Sequence, residues 1–138
     1  MLFRSSAGYY DYEADRKAKP SAIVDNLILE LATAKGIVRR AVSDEEILER
    51  CVYPMINEGA KILEEGKAIR ASDIDIVWIN GYGWPIYRGG PMFYGDTVGL
   101  PKVLDKMRQF EAKLGVDFKP AKLLEKLAAK GRRFQDLN

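Results

Sequence analysis

SDEEILERCVYPMINEGAKILEEG, Ser43 to Gly66, decides the class of this chain. Ser43-Asp44-Glu45-Glu46 has the form of a capping box, in which the Ser43 hydroxyl accepts from the Glu46 amide and Glu46 reaches back. Asp44 and Glu45 place negative charge at the positive end of the helix dipole. Beyond the cap, Ile47, Leu48, Cys51, Val52, Met55, Ile56, Ala60, Ile62 and Leu63 recur mainly at spacings of three and four. The segment therefore predicts a long amphipathic helix, ended by Gly66. Pro54 removes one backbone hydrogen bond inside it and predicts a kink between Arg50 and Pro54.

The same periodicity extends to both sides. Upstream, Ile23, Leu27, Ile28, Leu31 and Ala34 form one stripe of a helix from Ser21 to about Lys35, closed by Gly36. Downstream, Pro91 can open a short helix through Val98. A further helix is expected from Pro101 to Leu114 with Val103, Leu104, Met107, Phe110 and Leu114 inward, and a last one from Pro120 with Leu123, Leu124, Leu127 and Ala128, ended by Gly131. Ser72 to Asn80 is open on pattern alone: the alternation Asp73, Ile74, Asp75, Ile76 suggests a strand, and Ser72 three residues before Asp75 suggests a helix cap. Residues 1–20 form an entry arm, where Gly8-Tyr9-Tyr10-Asp11-Tyr12-Glu13 is short, aromatic and partly alternating and the polar stretch Ala14 to Pro20 breaks regular structure.

Composition limits the chemistry. The chain has 138 residues, 47% of them hydrophobic and 30% charged, with a formal net charge of +2, one cysteine and no histidine. A histidine general base, a serine or cysteine triad in its usual form and a His-containing zinc site are all excluded. A single cysteine cannot build a disulfide framework and fits a reducing compartment. No apolar run approaches the roughly 20 residues that span a bilayer, and the tyrosine-rich start is not a secretory leader. These features predict a soluble cytoplasmic domain with no membrane span. Charge is uneven: residues 1–99 carry 12 Lys and Arg against 15 Asp and Glu, whereas residues 100–138 carry 10 against 5. The basic residues of the second part are interleaved with leucines at helical spacing, the pattern of a solvated helix face, and no nucleic-acid motif accompanies them.

Three motifs compete for a functional reading. Gly81-x-Gly83 hints at a dinucleotide turn, yet the third glycine position holds Ile86, Pro85 has no amide to offer a phosphate, and no βαβ unit follows. Arg88-Gly89-Gly90-Pro91 either presents a cation and free amides to an anion or packs closely on a neighbouring helix. Asn57 and Glu58 interrupt the apolar stripe of the long helix; they either carry proton chemistry or hydrogen-bond a helix end or turn, the glycine-rich one being a candidate. Cys51 lies on the stripe, where thiols are inert.

Read together, Ser43 to Gly66, Ala71-Ser-Asp-Ile-Asp75 and NGYGWPIYRGGPMFYGD from Asn80 to Asp96 closely resemble the C-terminal domain of 3-hydroxyacyl-CoA dehydrogenases, in particular the second, final copy in the multifunctional fatty-acid β-oxidation enzymes that also carry enoyl-CoA hydratase. The resemblance covers about residues 5–134. It implies an all-α fold, a helical bundle like the C-terminal domain of 6-phosphogluconate dehydrogenase, over residues 21–138. The arm, residues 1–20, then corresponds to the tail of the preceding copy, and Ser72 to Asn80 becomes a short helix. On this reading the chain is a fragment of a longer enzyme.

What the resemblance implies about chemistry is mostly negative. In the family NAD sits on a separate N-terminal Rossmann domain, which also supplies the His and Glu pair that takes the hydroxyl proton. Where the catalytic copy of the helical domain has Asn-Arg, this chain has Glu49-Arg50, and a carboxylate cannot donate the amide's hydrogen bond. No catalytic, cofactor-binding or metal residue is expected here. The resemblance implies packing on the preceding dehydrogenase domains, with acyl-CoA contact open, and homodimerisation of the isolated chain. Tyr82, Trp84, Tyr87, Phe93 and Tyr94 offer apolar surface for such an interface. Asn57, Glu58, Gly81, Gly83, Trp84, Pro85, Arg88, Gly89, Gly90, Pro91, Phe93 and Tyr94 are the structural and interface candidates. The alternative is a free-standing helical interaction module on the same fold.

Overall fold

A computed structural model describes residues 8–12 and 17–137. Residues 1–7 and 13–16 of the expected arm lie outside the described residues. Contacts divide the chain into two compact units, Met1–Ala41 and Val42–Asn138.

The first unit holds a small hairpin and a helix. Strands β1 (Tyr10–Tyr12) and β2 (Ala18–Pro20) pair antiparallel, with Tyr10 opposite Pro20 and Tyr12 opposite Ala18. The expectation that Ala14 to Pro20 breaks regular structure is thus corrected for Ala18 to Pro20, to which tyrosine-rich β1 supplies a pairing partner. Helix α1 (Ala22–Ala34) forms where the periodicity places it, and Gly36 turns the chain with φ of 63°. No residue of α1 is buried.

The second unit is all helical: α2 (Asp44–Glu64), α3 (Ala71–Gly81), α4 (Pro91–Val98), α5 (Leu100–Leu114) and α6 (Lys122–Ala129), with 3-10 turns at Ile86–Arg88, Val116–Phe118 and Phe134–Leu137. The Ser43 hydroxyl accepts from the Glu46 amide at 3.2 Å, and α2 runs unbroken through Pro54. The open segment at 72–80 is helix. Asp73, at the third helical position, accepts from the Arg70 amide and guanidinium, so the first turn is capped from within. Ser72 lies inside the helix rather than at its cap.

The core is built where α2 meets α4, α5 and α6. Tyr53, Ile56 and Ala60 of α2, Met92 of α4, Val103, Met107 and Phe110 of α5, and Leu124 and Leu127 of α6 are buried together with Phe134. Burying each large aliphatic or aromatic side chain contributes about 1.5–3 kcal/mol. Gly59 makes the α2–α4 contact possible, because a β-carbon there would overlap the Met92 thioether.

In the first half of α2 the inner face is not the one the apolar residues mark, whereas Ile56 and Ala60 further along are buried as their spacing indicates. Ile47 and Leu48 are 50% and 42% exposed and Cys51 is exposed, whereas Glu49 is buried. The expected inert core thiol is therefore a surface thiol. The rotation has a physical cause: buried Glu49 accepts a 2.8 Å ion pair from Lys106 of α5 and so turns its own side of the helix inward. Leu114, expected inward, is 42% exposed at the last turn of α5.

Candidate functional site

The glycine- and aromatic-rich turn between α3 and α4 gathers most of the candidates. Gly81 ends α3, and the Trp84 amide donates back to the Trp78 carbonyl at 3.1 Å, folding the turn over the helix end. Gly83 takes φ of 71° in that reversal. Pro85 leads into the 3-10 turn, which Gly89 closes.

This geometry aligns a continuous run of rings. The Trp78 ring lies 4.9 Å from Tyr82 and 6.2 Å from Trp84, and Trp84 meets Tyr94 edge-on at 6.1 Å. The Arg88 guanidinium stands 5.5 Å from the Tyr87 ring and 6.0 Å from Tyr94, within reach of cation–π attraction. Gly89 sits against the Phe93 ring. Much of this surface faces outward: Tyr82, Ile86 and Tyr87 are 71%, 76% and 80% exposed, and Phe93 is 52% exposed. Among the described residues Arg88 has no carboxylate partner. The Trp84 indole N–H is buried and has no hydrogen-bond acceptor among the described residues.

The turn is held rigidly from below by a residue the motifs do not single out. Buried Asp75 of α3 accepts from the Met92 amide at 2.7 Å and the Phe93 amide at 3.1 Å, satisfying two free donors in the first turn of α4. Burial pushes its carboxyl up to about 6, against the opposing pull of these two amides. Gly90, with φ of 90°, lies directly against the Asp75 side chain, which leaves no room for a β-carbon, and Pro91 is buried as the first helical residue. At the other end of α4, Asp96 accepts from the Phe134 and Gln135 amides at 2.8 and 3.0 Å; burial raises its pKa as well.

Asn57 and Glu58 do not join the aromatic turn. Fully buried Asn57 donates to the Lys119 carbonyl at 2.9 Å and accepts from the Ala121 amide at 2.7 Å, clamping the approach to α6. The expected role as a hydrogen-bonding partner of a turn is thus filled at a different turn from the glycine-rich one. Glu58 is 62% exposed on its side chain and pairs with Lys61 at 3.2 Å.

Position 49 is occupied in a telling way. The Glu49 side chain is 4% exposed; Oε2 takes Lys106 at 2.8 Å, and Oε1 lies 3.9 Å from Lys102 without a hydrogen bond. The hydrogen bond that Lys106 donates to Glu49 raises the pKa of Lys106. Beside this charge Tyr53 is pushed up to about 12, first by burial and then by Glu49. This carboxylate joins α2 to α5.

No group of three or more metal-ligating side chains exists among the described residues, and none of the described helices is long and apolar enough to cross a membrane. Nor do the residues at Gly81 to Gly83 fit a dinucleotide, since the turn follows a helix rather than a strand and Pro85 has no amide. The exposed aromatic and arginine surface has the composition of a recognition face.

Residues 47–135 match the family model described as 3-hydroxyacyl-CoA dehydrogenase, C-terminal domain. The peroxisomal bifunctional enzyme of Danio rerio is 39% identical over 132 residues, 93% of this chain and 18% of that protein. The peroxisomal fatty acid beta-oxidation multifunctional protein AIM1 of Arabidopsis thaliana is 37% identical over 128 residues, and the glyoxysomal fatty acid beta-oxidation multifunctional protein MFP-a of Brassica napus 35% over 128; each match covers 90% of this chain and 18% of the relative. The chain thus spans less than a fifth of the length of these relatives. Their peroxisomal and glyoxysomal names overturn the cytoplasmic expectation, which rests chiefly on the cysteine count, a feature that does not distinguish the cytosol from a peroxisome. By the match over residues 47–135, the chain belongs to the 3-hydroxyacyl-CoA dehydrogenase C-terminal domain family.

Proposed function

We propose that this chain is a non-catalytic packing domain of fatty-acid β-oxidation, acting in peroxisomes as the second copy of its family's helical domain and lying against the preceding dehydrogenase domains of a multifunctional enzyme. The observation that carries this reading is the fate of position 49. A residue that would face substrate in a working copy is here a buried carboxylate engaged by Lys106, while the exposed surface of the aromatic turn carries Tyr82, Tyr87, Phe93 and Arg88. Oxidation of 3-hydroxyacyl-CoA and the binding of NAD belong to the dehydrogenase domains; this domain contributes rigid apolar surface. In isolation the chain pairs with a second copy.

Two measurements test the proposal. Purified chain mixed with 3-hydroxyacyl-CoA and NAD gives no NADH absorbance above buffer, and sedimentation gives a dimer at tens of micromolar, roughly −6 to −7 kcal/mol of association. Turnover, or a monomer at that concentration, overturns it.

A further inference from the structure

The chain carries two exposed apolar surfaces whose charges are complementary. The first is α1. Ile23, Val24, Leu27, Ile28 and Leu31 fall on one side of the helix, and Ile23 is 79% exposed with Leu27, Ile28 and Leu31 near half. An apolar stripe of this kind needs a surface to cover it. Its only charged residues are acids, Asp25 and Glu30, and neither has a basic partner among the described residues. Glu30 lies three residues after Leu27, the spacing of side-chain neighbours on one helix surface, and so borders the stripe. The second surface is the aromatic turn, with Tyr82, Ile86, Tyr87 and Phe93 exposed around an arginine that has rings beneath it but no carboxylate among the described residues.

We infer that α1 of one copy docks on the aromatic turn of a second copy, its leucine stripe against Tyr87 and Phe93 and Glu30 against Arg88. The inference rests on the self-association proposed above and deepens it by naming the contact. Thirteen residues of helix are about 20 Å long, enough to lie across a patch of several rings. In this dimer each chain supplies both surfaces, so the contact is made twice about a two-fold axis, the arrangement that closes instead of extending into a filament. Tyrosine, phenylalanine and arginine at the centre, with charge at the edge, is the composition of an energetic hot spot.

Charge reversal tests the contact through exposed positions, so the fold survives each change. Arg88→Glu sets two carboxylates against each other across the contact, and Glu30→Lys sets two cations against each other. Each variant alone is expected to weaken the dimer by about tenfold to a hundredfold in sedimentation, since like charges then face each other. Mixing the two variants restores it. In the mixed pair one contact keeps the original Glu30 and Arg88, and the other joins the introduced lysine to the introduced glutamate, so both are attractive. Leu27→Asp, with helicity checked by circular dichroism, abolishes the dimer and is not rescued by mixing with either variant. A mixture that stays monomeric, as it would if α1 closed on its own chain, overturns the contact. A dimer that both reversals leave intact also overturns it but preserves the proposed self-association, whereas a monomeric unmodified chain removes both.

Discussion

The Glu49–Lys106 pair offers a sharp test of how the bundle is held together, because its two ends differ in burial. Glu49 is 4% exposed on its side chain, whereas Lys106 is 34% exposed. Lys106→Met leaves the carboxylate buried, with only Lys102 at 3.9 Å to compensate. Breaking a fully buried pair by removing one partner costs about 3–5 kcal/mol. The partial exposure of Lys106 and the presence of Lys102 lower the expectation to about 2–3 kcal/mol. Glu49→Leu is different, since the released ammonium turns into water and leucine fills apolar space; its cost is about 1 kcal/mol or less. The double variant Glu49→Leu, Lys106→Met places apolar groups at both ends and falls within about 1 kcal/mol of the unmodified chain. Urea unfolding followed by circular dichroism reads all four corners of the cycle, and for a chain of this size each kcal/mol moves the melting temperature by about 3–5 °C. Equal costs for the two single variants, or a double variant as unstable as their sum, would refute the argument that charge burial controls this contact.

Three further outcomes follow from the same structure. Asn57→Ala removes a donor and an acceptor that clamp Lys119 and Ala121, and is expected to cost about 2–3 kcal/mol with faster amide exchange over residues 119–123; unchanged exchange there would discount the clamp. Gly90→Ala, where a β-carbon meets Asp75, is expected to destabilise by about 1–2 kcal/mol more than Gly99→Ala, which has a similar positive φ and open space; calorimetry of both decides it. Burial raises Asp75 from its ordinary 3.8 to about 6, so the native state holds the proton more tightly than the unfolded chain does. Its contribution is therefore largest below about pH 4 and declines as the pH rises towards 6, by about 1–2 kcal/mol after allowance for partial solvent contact; Asp75→Asn flattens that part of the stability profile, and an unaltered slope would show that other groups set it.

How far these features are legible in the sequence depends on whether the residues involved are neighbours in the chain. α5 and α6 can be placed closely, because Val103, Leu104, Met107 and Phe110, like Leu124 and Leu127, are buried as their spacing indicates. α3 cannot be settled by pattern, since Asp73 and Asp75 alternate with Ile74 and Ile76 as a strand would, and the deciding contact is the reach of Asp73 back to Arg70. Asp75 escapes notice as a site residue for a related reason. Its partners, the Met92 and Phe93 amides, lie 17 and 18 residues away, and backbone donors leave no side-chain signature. The only local sign is an acid set between two isoleucines. α2 misleads in the opposite direction, for periodicity marks Ile47, Leu48 and Cys51 as the inner face.

That error bears on function. Hydrophobic spacing records which side of a helix prefers to leave water, but it does not say what will cover it. Within its own unit, the first half of α2 turns inward along Glu49 and Tyr53, and Ile47, Leu48 and Cys51 remain outside. α1 repeats the situation with an entire stripe, and the aromatic turn with a set of rings. Desolvating Glu49 is costly unless Lys106 stays paired with it, so the ion pair fixes which face of α2 is given to the core. The apolar face displaced by that choice stays on the surface, as expected of a domain whose covering comes partly from a neighbour rather than from its own fold.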